Sequence, residues 1–179
     1  MHHTLSDYLL DLVQNSVEAK STLVIVDFLQ TDEEIKIYIA DNGTGMDEET
    51  LKRVRDPFCT DGQKHKHRNV GLGISFLAQL ASQCEGHFDI TSEKGLGTSL
   101  LFCCPGNHLD VPPIGNLAST VLCCMSMRAE YELKFHRQKG SGSYTVLRSQ
   151  LIDSSEDFED GQLLVAARSY LKSLEEDLL

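Results

Sequence analysis

Asp11 and Asn15 stand four residues apart in "LLDLVQNSVEAK" (9–20), and Asp7 stands four before Asp11. On a helix such residues share one stripe. Leu5, Leu9, Leu12, Val13 and Val17 supply the apolar residues beside it. Two carboxylates and an amide are oxygen ligands, and a carboxylate can also take a proton. Most polar stripes are solvated faces; a site that needs oxygen ligands is the sharper reading. Three glycine loops decide between them. "DNGTGM" (41–46) places the lone carboxylate of Asp41 at the end of a strand, with Gly43 and Gly45 letting backbone approach closely. "NVGLGISF" (69–76) runs into a helix start, where free N–H groups and the helix dipole favour an anion such as phosphate. "EKGLGTSL" (93–100) is a third glycine turn, followed by Thr98 on a strand. Neither G-x-x-x-x-G-K-[ST] nor G-x-G-x-x-G is present.

The elements that must carry these residues are legible in outline. Residues 5–20 read as a helix, 21–30 and 35–41 as strands joined by a "TDEE" turn, and 48–54 as a short helix. Residues 56–73 hold Pro57, three glycines and a polar run, which predicts a long mobile loop. A helix over 74–84 and a hairpin of 87–93 and 98–104 follow. "PGNHLDVPPIGN" (105–116) holds three of the four prolines and marks a boundary between 1–106 and 107–179. Beyond it the pattern predicts a helix at 117–127, a hairpin with its second strand at 144–151, and a last helix. Leu164, Ala167, Leu171, Leu174 and Leu178 repeat there at four-three spacing as a seam for another helix, most simply within the chain.

The composition excludes several classes. The net charge is −11, and neither part offers a basic face: 16 acids meet 9 bases in 1–106, and 11 meet 7 in 107–179. Nucleic acid and anionic lipid are therefore poor partners. No apolar run approaches the ~18 residues of a membrane span, and "MHHTLSDYLL" carries no secretory pattern, so a cytoplasmic protein is expected. The six cysteines show no C-x-x-C spacing and read as small buried hydrophobes in a reducing compartment.

Each loop alone is bland, but their order is not. D-x-x-x-N on a helix, D-x-G-x-G, G-x-G before a helix and G-x-G-T before a strand resemble the GHKL superfamily of gyrase-type ATPases, heat-shock chaperones, histidine kinases and mismatch-repair ATPases. The resemblance covers residues 7–104. It implies an α+β Bergerat-type sandwich, a mixed sheet with helices on one face, with a small C-terminal helix-hairpin-helix extension. It implies ATP and Mg²⁺ as cofactors. Asn15 would hold Mg²⁺, which takes few ligands from protein. Asp41 would accept from the adenine amino group, Gly43, Gly45 and Met46 would line the adenine, and Thr98 beside Gly97 would support Asp41. "DPFCT" (56–60) resembles the F-box of histidine kinases, and 61–70 would be the ATP lid, with Lys64, His67 and Arg68 as phosphate contacts. Gly71, Leu72 and Gly73 match the second glycine box. Asp7 is left to solvent or to capping.

Two departures from the sensor-kinase pattern shape the functional expectation. Position 11 is acidic, as in mismatch-repair ATPases and anti-sigma serine kinases, whose Glu there is a general base for water or a hydroxyl. Asp is a methylene shorter. No phosphoacceptor hairpin precedes the first motif, which leads to a stand-alone domain. The reading is a Mg-ATP-dependent kinase or ATPase acting on a protein in trans, with a homodimer allowed. A nucleotide-gated binding module is the alternative from another class, and a degenerate structural fold is disfavoured by the intact motifs.

Overall fold

The computed structural model describes residues 3–55, 72–151 and 161–178. Among these residues twelve elements run in the order α1 (Leu5–Glu18), β1 (Leu23–Gln30), β2 (Glu34–Asp41), α2 (Glu48–Arg55), α3 (Leu72–Gln83), β3 (His87–Glu93), β4 (Gly97–Pro105), α4 (Leu117–Met125), β5 (Glu132–Lys139), β6 (Gly142–Leu147), α5 (Arg148–Leu151) and α6 (Gly161–Glu176). The strands form one sheet in the order β3-β4-β2-β1-β5-β6, antiparallel everywhere except between β1 and β5. The fold is α+β, a mixed sheet covered by helices on one face.

Alternation along the strands determines which face is covered. Val26 and Phe28 of β1 lie in register beside Ile39 and Ile37 of β2, and Val24 and Val26 lie beside Leu133 and Phe135 of β5. These apolar side chains are buried, as are Leu100 and Phe102 of β4 and Ile90 of β3. The helices bury Leu5, Leu9, Leu12 and Val13 of α1, Leu77 of α3, and Val121 and Met125 of α4 against them. Each such side chain contributes about 1.5–3 kcal/mol by leaving water. The opposite face carries Asp27, Lys36, Tyr38 and His136 and stays half-exposed, as period-two strands with one solvated side should.

Helix α1 starts where its orphan N–H groups find partners. Thr4 Oγ1 accepts from Asp7 N at 3.2 Å, and Asp7 Oδ2 accepts from Thr4 N at 2.9 Å, a reciprocal capping box. Asp7 is therefore a capping residue. Leu5 N and Ser6 N donate to the carbonyls of Pro113 and Ile114, both at 2.9 Å, so the proline-rich stretch 105–116 is bound along the start of α1. Gly115, at φ +87°, is needed there, because a Cβ would stand 2.2 Å from Ser6 Oγ.

Beyond residue 116, strand β5 pairs with β1 over its whole length, from Leu23↔Glu132 to Gln30↔Lys139, so the C-terminal hairpin extends the main sheet. The second hairpin strand is shorter than expected. It ends at Leu147, and Arg148–Leu151 turns into a helix. The Arg148 guanidinium explains the turn: it donates to the carbonyls of Met125 (2.8 Å) and Tyr131 (3.0 Å) and lies over the Tyr131 ring. A cation at the carbonyl end of α4 is also favoured by the helix dipole. The seam of α6 buries Ala167 and Leu171, and Leu178 is buried just beyond the helix end; α6 packs on α4, within the chain as expected. Cys84, Cys103, Cys104 and Cys124 are buried free thiols, and burial pushes the Cys104 thiol up to about 12.

Arg137 is the largest fully buried side chain, 2% exposed. It lies over the Phe28 ring, donates to Gln30 Oε1 and the Gln138 carbonyl, and places Nε 3.4 Å from Glu175 Oε1, too poorly aligned for a hydrogen bond. Tyr144 donates to the same Glu175 oxygen at 2.6 Å. Burial first, then this carboxylate, pushes the Tyr144 hydroxyl above its ordinary range, so it remains a donor. Glu175 thus ties α6 to β5 and β6. Glu175→Ala leaves a buried guanidinium unbalanced and should destabilise the fold by about 3 kcal/mol, the low end for a broken buried pair, since that side chain is 21% exposed. Urea denaturation checks this; a loss below about 1 kcal/mol would show that the pair adds little beyond packing.

Candidate functional site

The end of β2, the loop after it and the β3–β4 turn meet the C-terminal half of α1. Asp41 ends β2, and its carboxylate is surrounded by donors. Ser16 Oγ donates to Oδ2 at 2.9 Å, Ser21 Oγ to Oδ1 at 3.1 Å, and Gly43 N to Oδ1 at 2.8 Å. Both serines are buried, whereas Asp41 is half-buried. Asn42 points the other way: its Oδ1 accepts from Thr22 N and Leu23 N, both at 2.9 Å, which splices the loop to the start of β1.

The glycines have a local reason. Gly45 adopts φ +60°, and a Cβ there would stand 2.0 Å from the Glu93 carbonyl; Gly97 adopts φ +115°, and its Cβ would stand 2.0 Å from the Asp41 carbonyl. The close approach is thus made by the protein's own backbone, loop 42–46 against turn 93–97. Thr44 N donates to the Ala19 carbonyl, and Gly95 N to Thr44 O, completing the stitching. Met46 N donates to Ser92 Oγ at 2.9 Å, and Ser92 Oγ in turn donates to Gly97 O. Thr98 lies directly opposite Asp41 in the ladder, but its hydroxyl bonds Ser92 Oγ at 2.8 Å; the side chains that donate to the Asp41 carboxylate are Ser16 and Ser21. A depression of about 350 Å³ opens here, lined by Asp41, Ser92, Leu96, Gly97 and Thr98 among others.

The other end of the site lies between α1 and α3. The expected loop reached Gly73, but α3 already begins at Leu72, and Gly73 sits in its first turn. A Cβ on Gly73 would stand 1.9 Å from Asp11 Oδ2, so the glycine makes room for that carboxylate. Asp11 is therefore brought to the helix start that the second glycine box marks. One turn further along α1, Asn15 has a buried Nδ2 with no hydrogen-bond partner, which is uncommon for a buried amide. Among the described residues no cluster of three His, Cys, Asp or Glu could cage a metal. Lys64, His67, Arg68, Gly71 and the "DPFCT" stretch lie outside the described residues.

A larger groove, about 650 Å³, runs between the start of α4 and α6. Its charged residues, Arg168 and Lys172 against Glu175 and Glu176, cancel, and it holds none of the glycine loops. The smaller depression is the one that holds Asp41 and the third glycine turn. Ser16, Ser21 and Ser92 are the site residues that motif reading passed over. For Ser16 a signal existed: it follows Asn15 directly, on a helix turn that carries the motif. Ser21 and Ser92 are placed only by the sheet.

The model of the family described as histidine kinase-, DNA gyrase B- and HSP90-like ATPase matches residues 2–108. A sensor protein of Shewanella frigidimarina is 33% identical over 99 residues, 54% of this chain and 15% of its own. Sporulation kinase C of Bacillus subtilis is 28% identical over 96 residues, covering 52% and 22%. The histidine-protein kinase AtoS of Escherichia coli is 29% identical over 106 residues, covering 58% and 17%. The chain thus spans less than a quarter of each relative. The nucleotide-free catalytic domain of histidine kinase ThkA aligns with a TM-score of 0.39 at 19% identity, over 56% of this chain and 63% of that one. With more than half of its length matched by the family model, the chain belongs to the histidine kinase-, DNA gyrase B- and HSP90-like ATPases, and its first 108 residues are an ATP-binding, kinase-like domain of that kind.

Proposed function

We propose that this protein binds Mg-ATP and moves the γ-phosphate to a hydroxyl of a protein partner, or to water. The observation that carries the reading is the meeting of Asp11 with the start of α3 at Gly73, one helical turn from the unpartnered amide of Asn15. A helix start favours phosphate. Mg²⁺ keeps most of its waters and takes one or two protein ligands together with phosphate oxygens, so a single amide oxygen suits it. The Asn15 Nδ2, buried without a partner, suits a phosphate oxygen as acceptor while Oδ1 serves the metal. Mg²⁺ when bound would neutralise charge on the phosphates. Asp11 is the group placed to orient and deprotonate the attacking hydroxyl.

In this reading Asp41, fixed by its three donors, accepts from the adenine amino group. Gly43, Gly45 and Met46 form the wall beside the base, and Lys64, His67 and Arg68 approach the phosphates from the segment 61–70. Gly71, Leu72 and Gly73 would carry the phosphate end. Residues 107–179 are an extension whose partner-facing or dimerising role is open to experiment. The protein acts in the cytoplasm on a partner in trans; no helix among the described residues is long and apolar enough to cross a membrane.

Three outcomes test the reading. Asp41→Asn weakens ATP binding about 10- to 100-fold, as expected when a hydrogen bond to a charged group worth roughly 1.5–3 kcal/mol is lost. Unchanged affinity in calorimetry would remove Asp41 from the base site. Asn15→Ala makes ATP affinity insensitive to Mg²⁺; if the metal tightens binding as in the wild type, it is held elsewhere. Asp11→Asn lowers ATP turnover or labelled phosphate transfer by about 10²–10⁴, while ATP affinity holds or rises, because a carboxylate facing the phosphates is gone. A variant that turns over like the wild type would leave a nucleotide-gated binding module as the reading.

A further inference from the structure

The carboxylate of Asp41 is held more tightly than recognition of an amino group requires. We infer that Ser16, with Ser21 as a weaker second, is a specificity-determining positioning residue that locks Asp41 as a fixed acceptor and so excludes 6-oxopurine nucleotides. The inference rests on the proposed role of Asp41 at the base. Ser16 is 4% exposed and Ser21 3% exposed, so neither hydroxyl has water to turn to. Ser16 donates its one hydrogen to Asp41 Oδ2 at 2.9 Å. Ser21 has one hydrogen for two acceptors, the Ser16 carbonyl at 2.7 Å and Asp41 Oδ1 at 3.1 Å. Gly43 N reaches Oδ1 from the loop at 2.8 Å.

The terminal torsion of an aspartate is broad and roughly two-fold, so a carboxylate held at one oxygen can swing. Donors on both oxygens, from α1, from the segment before β1 and from the loop after β2, remove that freedom. What remains for a ligand is a lone pair in a set direction. An exocyclic amino group meets it with a hydrogen. A 6-oxo group meets it with a lone pair, and the locked carboxylate cannot turn aside to admit a bridging water. A site built for one partner then rejects the other strongly, because buried polar groups are left unpaired. The lock also links the two ends of the site. Ser16 and Asn15 are consecutive on α1, so the helix that would hold the metal also positions the base-reading carboxylate.

The test compares ATP with ITP, its 6-oxo counterpart, in calorimetric titrations of wild type, Ser16→Ala, Ser21→Ala and Asp41→Asn, with thermal melts to confirm folding. Ser16→Ala should weaken ATP about 3- to 10-fold and narrow the preference for ATP over ITP by at least about 3-fold, with Ser21→Ala changing both less. A packing role would lower both nucleotides alike and leave the ratio unchanged; that result, or no change at all, overturns the inference while leaving Asp41 at the base. If Asp41→Asn itself leaves ATP affinity unchanged, the base-site reading fails, and the lock falls with it. Ser21→Ala retains the test should Ser16→Ala not fold.

Discussion

The Asp41 carboxylate is the point through which the ligand end of this fold is held together. Three pieces of chain converge on its two oxygens at the end of β2: the last turn of α1, the turn before β1 and the glycine loop. A partly buried carboxylate is tolerated only with such donors, since desolvating it without them would cost several kcal/mol. The same requirement dictates the neighbours. Gly43 must bring its N–H to Oδ1, and a Cβ on it would strike Ser21 Oγ and the Ala19 carbonyl. Gly97 must admit the Asp41 carbonyl against its own backbone. A residue suited to reading a ligand is therefore also one the local fold needs, so its loss would be felt in both.

Helix α1 links the other layers to that point. Its N-terminus is satisfied by Pro113 and Ile114, its apolar side packs on the sheet, α3 and α4, and its polar stripe faces the start of α3. Asp7, Asp11 and Asn15 share the stripe but not a task. Asp7 caps the helix, Asp11 lies against Gly73, and the Asn15 amide keeps an unpartnered nitrogen. The division follows from height along the helix: each turn of about 5.4 Å meets a different neighbour.

Charge replaces apolar packing at two places in the C-terminal part. Arg137 stands where strand alternation calls for an apolar residue, and Arg148 closes the carbonyl end of α4. Both guanidiniums lie over aromatic rings; Arg137 donates to Gln30 and the Gln138 carbonyl and pairs in charge with Glu175, and Arg148 donates to the carbonyls of Met125 and Tyr131. The planar, multiply donating guanidinium suits this use in a way a lysine would not.

The sequence by itself determined the elements and the order of the motifs. Periodicity of 3.6 and 2 is local, as are the glycine loops, so α1, the first two hairpin pairs and the shared stripe of Asp7, Asp11 and Asn15 were legible without coordinates. Three things were decided only by the tertiary structure. Strand β5 lies parallel to β1, a pairing between residues more than a hundred apart that no local pattern encodes. Gly73 belongs to a helix and not to a loop, and it must be a glycine because the space its Cβ would fill is taken by Asp11 from another element. Thr98, opposite Asp41 in the ladder, gives its hydroxyl to Ser92, while Ser16 and Ser21 take the carboxylate. Hydrogen bonds of this kind depend on ångström distances between elements far apart in the chain, and a linear pattern of residue types carries no such distances.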